Sequence, residues 1–163
     1  MKRVLITTPD YPPKIGGLST FTLNIKNVLE NLNITVDVFN WKSIPEIKDK
    51  FLELKFQKNA YDYVFNIHFV GGYYLQNLDF KYINFYHGSE ILFYSPSPLK
   101  RIYKFLFRKK MLRYMENAQF NFFISHFTFK KLQEKGLVSD ISRDIILHNC
   151  IDIPNEIDKS LSK

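Results

Sequence analysis

Two glycines stand directly before the start of a predicted helix and could hold an anion. Gly16 and Gly17 occur in the segment PPKIGGLST, between an apolar strand and an amphipathic segment. Backbone can approach a ligand closely at glycine, and the free N–H groups of a helix N-terminus favour negative charge. The spacing is neither GxGxxG nor GxxxxGK[ST], so a dinucleotide fingerprint or a P-loop is poorly supported. We expect either a phosphate-binding loop or a plain turn that requires a positive φ.

Two histidines end apolar strands and could act on a hydroxyl or a phosphate oxygen. His87 occurs in FYHGSEI, with Glu90 three residues later, and His68 occurs in FNIHF. An imidazole can donate a hydrogen bond to either kind of oxygen, and Glu90 could orient His87 or bind a hydroxyl itself. For each histidine the alternative is a structural, hydrogen-bonded residue. Ser125 is predicted to cap a helix, and nothing places a base beside it, so acyl transfer is not expected.

The elements that must position these residues alternate between short apolar strands and amphipathic helices. Strands are predicted at 2–8, 34–40, 61–68, 82–86, 121–124 and 144–147, and helices at 18–32, 44–54, 97–117 and 127–135. This alternation argues for a three-layer α/β fold, a doubly wound parallel sheet, over residues 1–154, with a linker or frayed tail at 155–163. We expect the strand order 3-2-1-4-5-6, which places the ligand crevice between strands one and four. Gly16, Gly17 and His87 would then open onto one crevice, and His68 would lie at the sheet edge.

Composition narrows the class of protein. The formal charge of +7 favours an anionic partner such as phosphate, nucleic acid or an acidic membrane surface. The single cysteine excludes an internal disulfide and zinc-binding Cys/His spacings. No apolar run approaches the ~20 residues that span a bilayer, and the N-terminus lacks a signal-peptide core. We therefore expect a cytoplasmic protein.

A basic stripe is predicted on one face of the long helical segment. Its members are Lys100, Arg101, Lys104 and Arg108. The stripe could rest on the anionic inner face of the cell membrane, where each cation contributes about 1 kcal/mol, or it could be the solvated face of a helix over the sheet. Nucleic-acid binding ranks last, because no RRM, KH or helix-turn-helix signature occurs.

Taken in order, five segments resemble the N-terminal, acceptor-side domain of a family 4-like glycosyltransferase of the GT-B fold. The segments are PPKIGG, YDYVFNIH, YHGSE, FFISHFTFKKL and ILHNCID. The resemblance implies a Rossmann-like domain and retaining, metal-independent transfer of a sugar from a nucleotide-sugar donor to an acceptor hydroxyl. It implies no cofactor, because the nucleotide-sugar is a substrate. A bacterial surface polysaccharide or a lipid-linked glycan is the expected product.

The resemblance also implies roles for individual residues. Gly16 and Gly17 would approach the donor diphosphate, and His87 would hold a donor-sugar hydroxyl or the developing charge at the reacting bond. Glu90, His68 and Tyr73 would contact a sugar or the acceptor, as would the segment 71–74.

The second, nucleotide-binding domain of that family, with its Glu-x7-Glu motif, is not part of this sequence. We therefore expect this chain to need that domain, in cis or as a separate chain, and to be inactive alone. Cys150 stands where the family usually has glycine, and the usual Gly-His before strand two is missing. The alternative function is a non-catalytic module that docks on an anionic membrane or an acidic partner through the basic stripe.

Overall fold

The chain forms a six-stranded, all-parallel sheet packed against helices. A computed structural model describes residues 2–56, 60–75, 80–88, 98, 102, 110, 112–134, 136, 138 and 143–148. The strands are β1 (Arg3–Thr8), β2 (Thr35–Asn40), β3 (Tyr63–Asn66), β4 (Tyr82–Tyr86), β5 (Phe120–Phe123) and β6 (Asp144–Ile146). The helices are α1 (Gly17–Asn31), α2 (Ile44–Phe56), α3 (Phe69–Leu75), α4 (residues 112–117) and α5 (His126–Glu134). The predicted α/β, Rossmann-like fold class is confirmed.

The strand order differs from the one predicted. The strands lie in the order β2-β1-β3-β4-β5-β6, so β3 pairs with both β1 and β4 and separates them. This is the other common doubly wound order, in which the chain reverses between β1 and β3. Hydrophobic period reports which segments are strands, but both orders satisfy the same crossover rules, so the period did not distinguish them. As a result His68, which follows β3, lies at the centre of the carboxyl edge and not at the sheet edge.

Helix α1 covers one face of the sheet. Phe21, Ile25 and Leu29 recur at helical spacing and pack in one cluster with Val4 and Ile6 of β1. Burying an apolar side chain of this size stabilises the fold by about 1.5–3 kcal/mol. This packing holds the N-terminus of α1 over the carboxyl end of β1.

Helices α2 and α3 cover the opposite face. Leu5 of β1 and Val64 of β3 pack there against Ile47 and Phe51 of α2 and Leu75 of α3. Neighbouring residues of a strand point to opposite faces, so apolar strands that are buried on both sides supply both clusters.

A row of buried polar side chains crosses this second face, and we call it the amide row. Its members are paired on β1, β3, β4, β5 and β6 and are Thr7, Asn66, Asn84, Asn121 and Asp144. Thr7 Oγ1 donates to Asn66 Oδ1 at 3.2 Å. The three amide Nδ2 groups then donate in turn to the Oδ1 atom of the next member, at 3.0, 3.1 and 3.0 Å. A slip of one residue would move these side chains to the other face, so the row helps to fix the register of five strands.

Helix α3 was not predicted, and it packs on the amide row through two glycines. A Cβ at Gly71 would collide with Asn66 Oδ1, and a Cβ at Gly72 would lie 2.9 Å from Asn66 Nδ2 and from the ring of Tyr114. Both glycines are buried. The expectation that they face an acceptor is therefore wrong, because they fill the space between helix and sheet.

Several predicted features lie outside the described residues. These are the basic stripe (Lys100, Arg101, Lys104 and Arg108), Glu90, Cys150 and the tail at 155–163. Among the helices that the structure describes, none combines the length and apolar character needed to cross a bilayer.

Candidate functional site

The loop that follows β1, residues 9–16, is tied to both of its neighbours. Thr8, the last residue of β1, places its Oγ1 3.3 Å from Thr22 Oγ1 of α1 and accepts from the Asp10 N–H at 3.2 Å. Lys14 forms an ion pair with Asp10 inside the loop, and its N–H donates to the carbonyl oxygen of Tyr11 at 3.2 Å. The sequence therefore holds this polar, proline-containing loop in place at the carboxyl edge of the sheet.

Nothing among the described residues requires the two glycines that end this loop. Gly16 has a φ of 167°, which is extended backbone open to any residue, and Gly17 begins α1. A Cβ added to either glycine would meet no atom within 4 Å. The positive-φ turn that the sequence left open is therefore excluded as the reason for these glycines.

The N-terminus of α1 is arranged as an anion site. Its first turn contains no acidic residue, and no side-chain cap is found among the described residues. The Thr20 N–H bonds to the Gly16 carbonyl oxygen at 3.0 Å, so the N–H groups that precede it have no acceptor within the helix. Such N–H groups and the positive end of the helix dipole attract phosphate or carboxylate oxygens.

His87 follows β4 and reaches α1. Its ring centroid lies 4.6 Å from that of Phe21, edge-on, and Phe21 is one turn beyond Gly17. Gly88 takes a φ of 105°, a conformation that favours glycine, and turns the chain directly after the histidine. The structure thus brings His87 beside the start of α1, although β3 lies between β1 and β4.

Burial makes the His87 imidazole a neutral group. Burial first, and then the neighbouring His68, lower the pKa of His87 from 6.5 to about 4. At neutral pH the ring can donate or accept a hydrogen bond, but it does not carry positive charge. It is therefore better suited to a hydroxyl than to the stabilisation of an anion.

His68 lies in the same crevice and also has a structural role. The Val70 N–H donates to His68 Nδ1 at 3.3 Å, which caps α3, and the His68 ring lies 5.7 Å from the ring of Trp41. Burial lowers the pKa of His68 to about 4, against the opposing effect of Asp10. Because Nδ1 accepts, the proton of the neutral ring is on Nε2, the nitrogen left to meet a ligand.

The remaining predicted residues have separate surroundings. Tyr73 lies on α3, with its ring edge-on to Tyr74 at 5.0 Å, and its hydroxyl accepts from Lys110 Nζ at 3.3 Å. Ser125 caps α5 as predicted, because the Thr128 N–H donates to its Oγ at 3.2 Å. Within the described ranges, no three His, Cys, Asp or Glu side chains converge as metal ligands would.

A cavity of about 630 Å³ opens on the β2 side of the same loop, and the sequence analysis missed it. Its lining comes from the loop after β1 and from the end of β2 and the residues that follow it. The lining residues are Pro9, Asp10, Tyr11, Pro13, Lys14, Asn40, Trp41 and Lys42. The available signal was an aromatic and a polar residue directly at the end of a strand, which marks the ligand edge of a doubly wound sheet.

Together these groups can bind an oxyanion at the start of α1 and hydrogen-bond a hydroxyl at the two neutral imidazoles. No protein-family model matches the chain, and no curated protein sequence matches it.

Proposed function

We propose that this chain is the acceptor-side domain of a retaining, metal-independent glycosyltransferase. The observation that carries the proposal is the pair of glycines at the start of α1. Neither backbone conformation nor packing asks for glycine there, since a Cβ would meet open space. A ligand that approaches the backbone closely explains the pair, and the diphosphate of a nucleotide-sugar is such a ligand.

The two imidazoles extend the proposal to the sugar. His87 lies beside α1, close to where a diphosphate on the helix N-terminus would carry its glycosyl group. As a neutral ring with a pKa of about 4, it would hold a hydroxyl of the donor sugar and so orient the anomeric carbon. His68, facing the same crevice, would present its Nε2 hydrogen to the acceptor.

The described residues supply only part of what the reaction needs. A leaving diphosphate requires fixed positive charge or donors in the transition state. Both histidines are neutral, and Lys14 is engaged with Asp10. We therefore propose a second domain, in cis or as a separate chain, that completes the donor site. The acceptor would be a surface polysaccharide or a lipid-linked glycan.

Nuclear magnetic resonance of the 163-residue chain tests the donor site directly. UDP-glucose, GDP-mannose and inorganic pyrophosphate are added to the ¹⁵N-labelled chain in turn, and backbone amide shifts are followed. We expect weak, saturable shifts at residues 16–20, with the remote Gly136 amide as the unmoved control. Shifts elsewhere, or none with any of the three compounds, would contradict the donor site, and robust sugar transfer by this chain alone would contradict the need for a second domain.

A further inference from the structure

The cavity on the β2 side of the loop is separate from the crevice described above. The crevice lies where the chain reverses between β1 and β3, whereas the cavity lies between the carboxyl ends of β1 and β2. The loop of residues 9–16 forms the wall between them. A ligand that occupied both would have to pass over this loop.

The chemistry of the cavity suits a sugar ring. Tyr11 and Trp41 provide apolar ring surface together with the two prolines of the wall. The Asp10 carboxylate and the Lys14 ammonium lie side by side as an ion pair. Adjacent acceptor and donor groups of this kind match two neighbouring hydroxyls of a pyranose, and the exposed amide of Asn40 adds a further donor and acceptor.

Other classes of ligand fit less well. A phosphate would meet the Asp10 carboxylate in the wall, which opposes a second negative charge. A purely apolar ligand would remove four polar or charged residues from water with no hydrogen bonds in return. The volume of about 630 Å³ lies within the range of about 300–1,000 Å³ that is typical of small-molecule sites.

We propose that this cavity binds a saccharide unit of the acceptor that is remote from the unit receiving the sugar. The role as an acceptor subsite rests on the proposed function, but saccharide binding itself does not. It follows that the acceptor is an oligosaccharide, whose second or later unit crosses the loop while its reacting hydroxyl lies at the histidines. A monosaccharide would occupy either position only weakly.

The chain contains a natural reporter for this site, because Trp41 is its single tryptophan. Intrinsic fluorescence of the full chain is titrated with maltotriose, cellotriose and chitotriose and with the matching monosaccharides. We expect a saturable change in Trp41 emission with at least one trisaccharide and weaker binding of its monosaccharide. No saturable change with any of them up to about 50 mM, which covers dissociation constants in the millimolar range, overturns the proposal.

Variants locate the binding. Asn40→Leu and Lys14→Met each remove a hydrogen-bonding group from the cavity wall and should weaken trisaccharide binding about 3- to 10-fold. Lys50→Met is the matched control, because Lys50 lies on α2 and pairs with Glu53 outside the cavity. Equal affinity in all three variants places the saccharide elsewhere and overturns the proposal.

Pyrophosphate titration of the same samples separates the two proposals. Trisaccharide binding without pyrophosphate binding supports the cavity and contradicts the donor site. Pyrophosphate binding without trisaccharide binding overturns the cavity and leaves the donor site standing.

Discussion

Replacing Gly17 by alanine separates a structural reason for this glycine from a functional one. Gly17 begins α1, and the added Cβ would meet no atom within 4 Å. Alanine restricts the unfolded chain and favours the helix, so Gly17→Ala should raise the free energy of unfolding by about 0.4–1 kcal/mol. A glycine kept for folding would show the opposite sign.

The same methyl group should impair the proposed donor site. It stands where the diphosphate would approach the first N–H groups of α1. Loss of one hydrogen bond to a charged group is worth about 1.5–3 kcal/mol, which corresponds to at least a tenfold weaker affinity for pyrophosphate. Urea unfolding gives the first quantity, and amide shift titration with pyrophosphate gives the second.

Gly71→Ala is the contrasting variant within the same chain. Its Cβ would collide with Asn66 Oδ1 beneath α3, so this substitution should lower the free energy of unfolding by about 1–3 kcal/mol. If Gly17→Ala proved equally destabilising, the helix start would have an internal need for glycine and the reasoning would fail. Unchanged pyrophosphate affinity in a stable Gly17→Ala protein would refute the anion site.

Further predictions concern the histidines, the amide row and the basic stripe. Unfolded histidines bind protons between pH 6.5 and 4 while His68 and His87 stay neutral, so the free energy of unfolding should be full above pH 6.5 and fall by up to about 3 kcal/mol per ring as the pH drops through that window. His87→Gln should remove about half of that fall in urea unfolding, and an unchanged slope would show that the ring is not buried as described. Asn84→Leu should cost about 1–3 kcal/mol in the same assay, because the Asn66 Nδ2 donor loses its acceptor, and a neutral effect would contradict the row. In a reconstituted two-domain enzyme, His87→Ala should lower kcat more than it raises KM, and a pure KM effect would contradict action at the reacting bond. Charge reversal of the basic stripe should abolish flotation with anionic vesicles, and retained flotation would remove membrane docking through the stripe.

The sequence predicted the elements of this fold well because burial leaves a strong local signal. The strand 82–86 was placed with its observed bounds, since five consecutive buried residues set it apart from its polar flanks. Helix α1 was recognised by its apolar period, and the Ser125 cap by its position before a helix. The short helix α3 was missed because FVGGYYL contains two glycines and is too short to show a period.

The site was predicted only in part, since strand order depends on contacts between elements distant in sequence. Placing β3 at the edge gave His68 a minor role, whereas the structure puts it in the crevice with His87. The asparagines of the amide row were visible as one polar residue inside each of three apolar strands. Their partnership became apparent only when the register aligned them. The cavity beside Trp41 could not be predicted for the same reason, as its walls meet only when β1 and β2 pair.

The amide row also bears on how the sheet assembles. Its side-chain donors all point in one direction, from Thr7 towards the carboxylate of Asp144, and every interior member needs a neighbour on each side. A sheet with one central strand missing would leave an amide in an apolar interior with half of its bonds unmade, at a cost of about 1–3 kcal/mol. Partly assembled sheets are thereby penalised, and the five strands are expected to form and melt together as one cooperative unit.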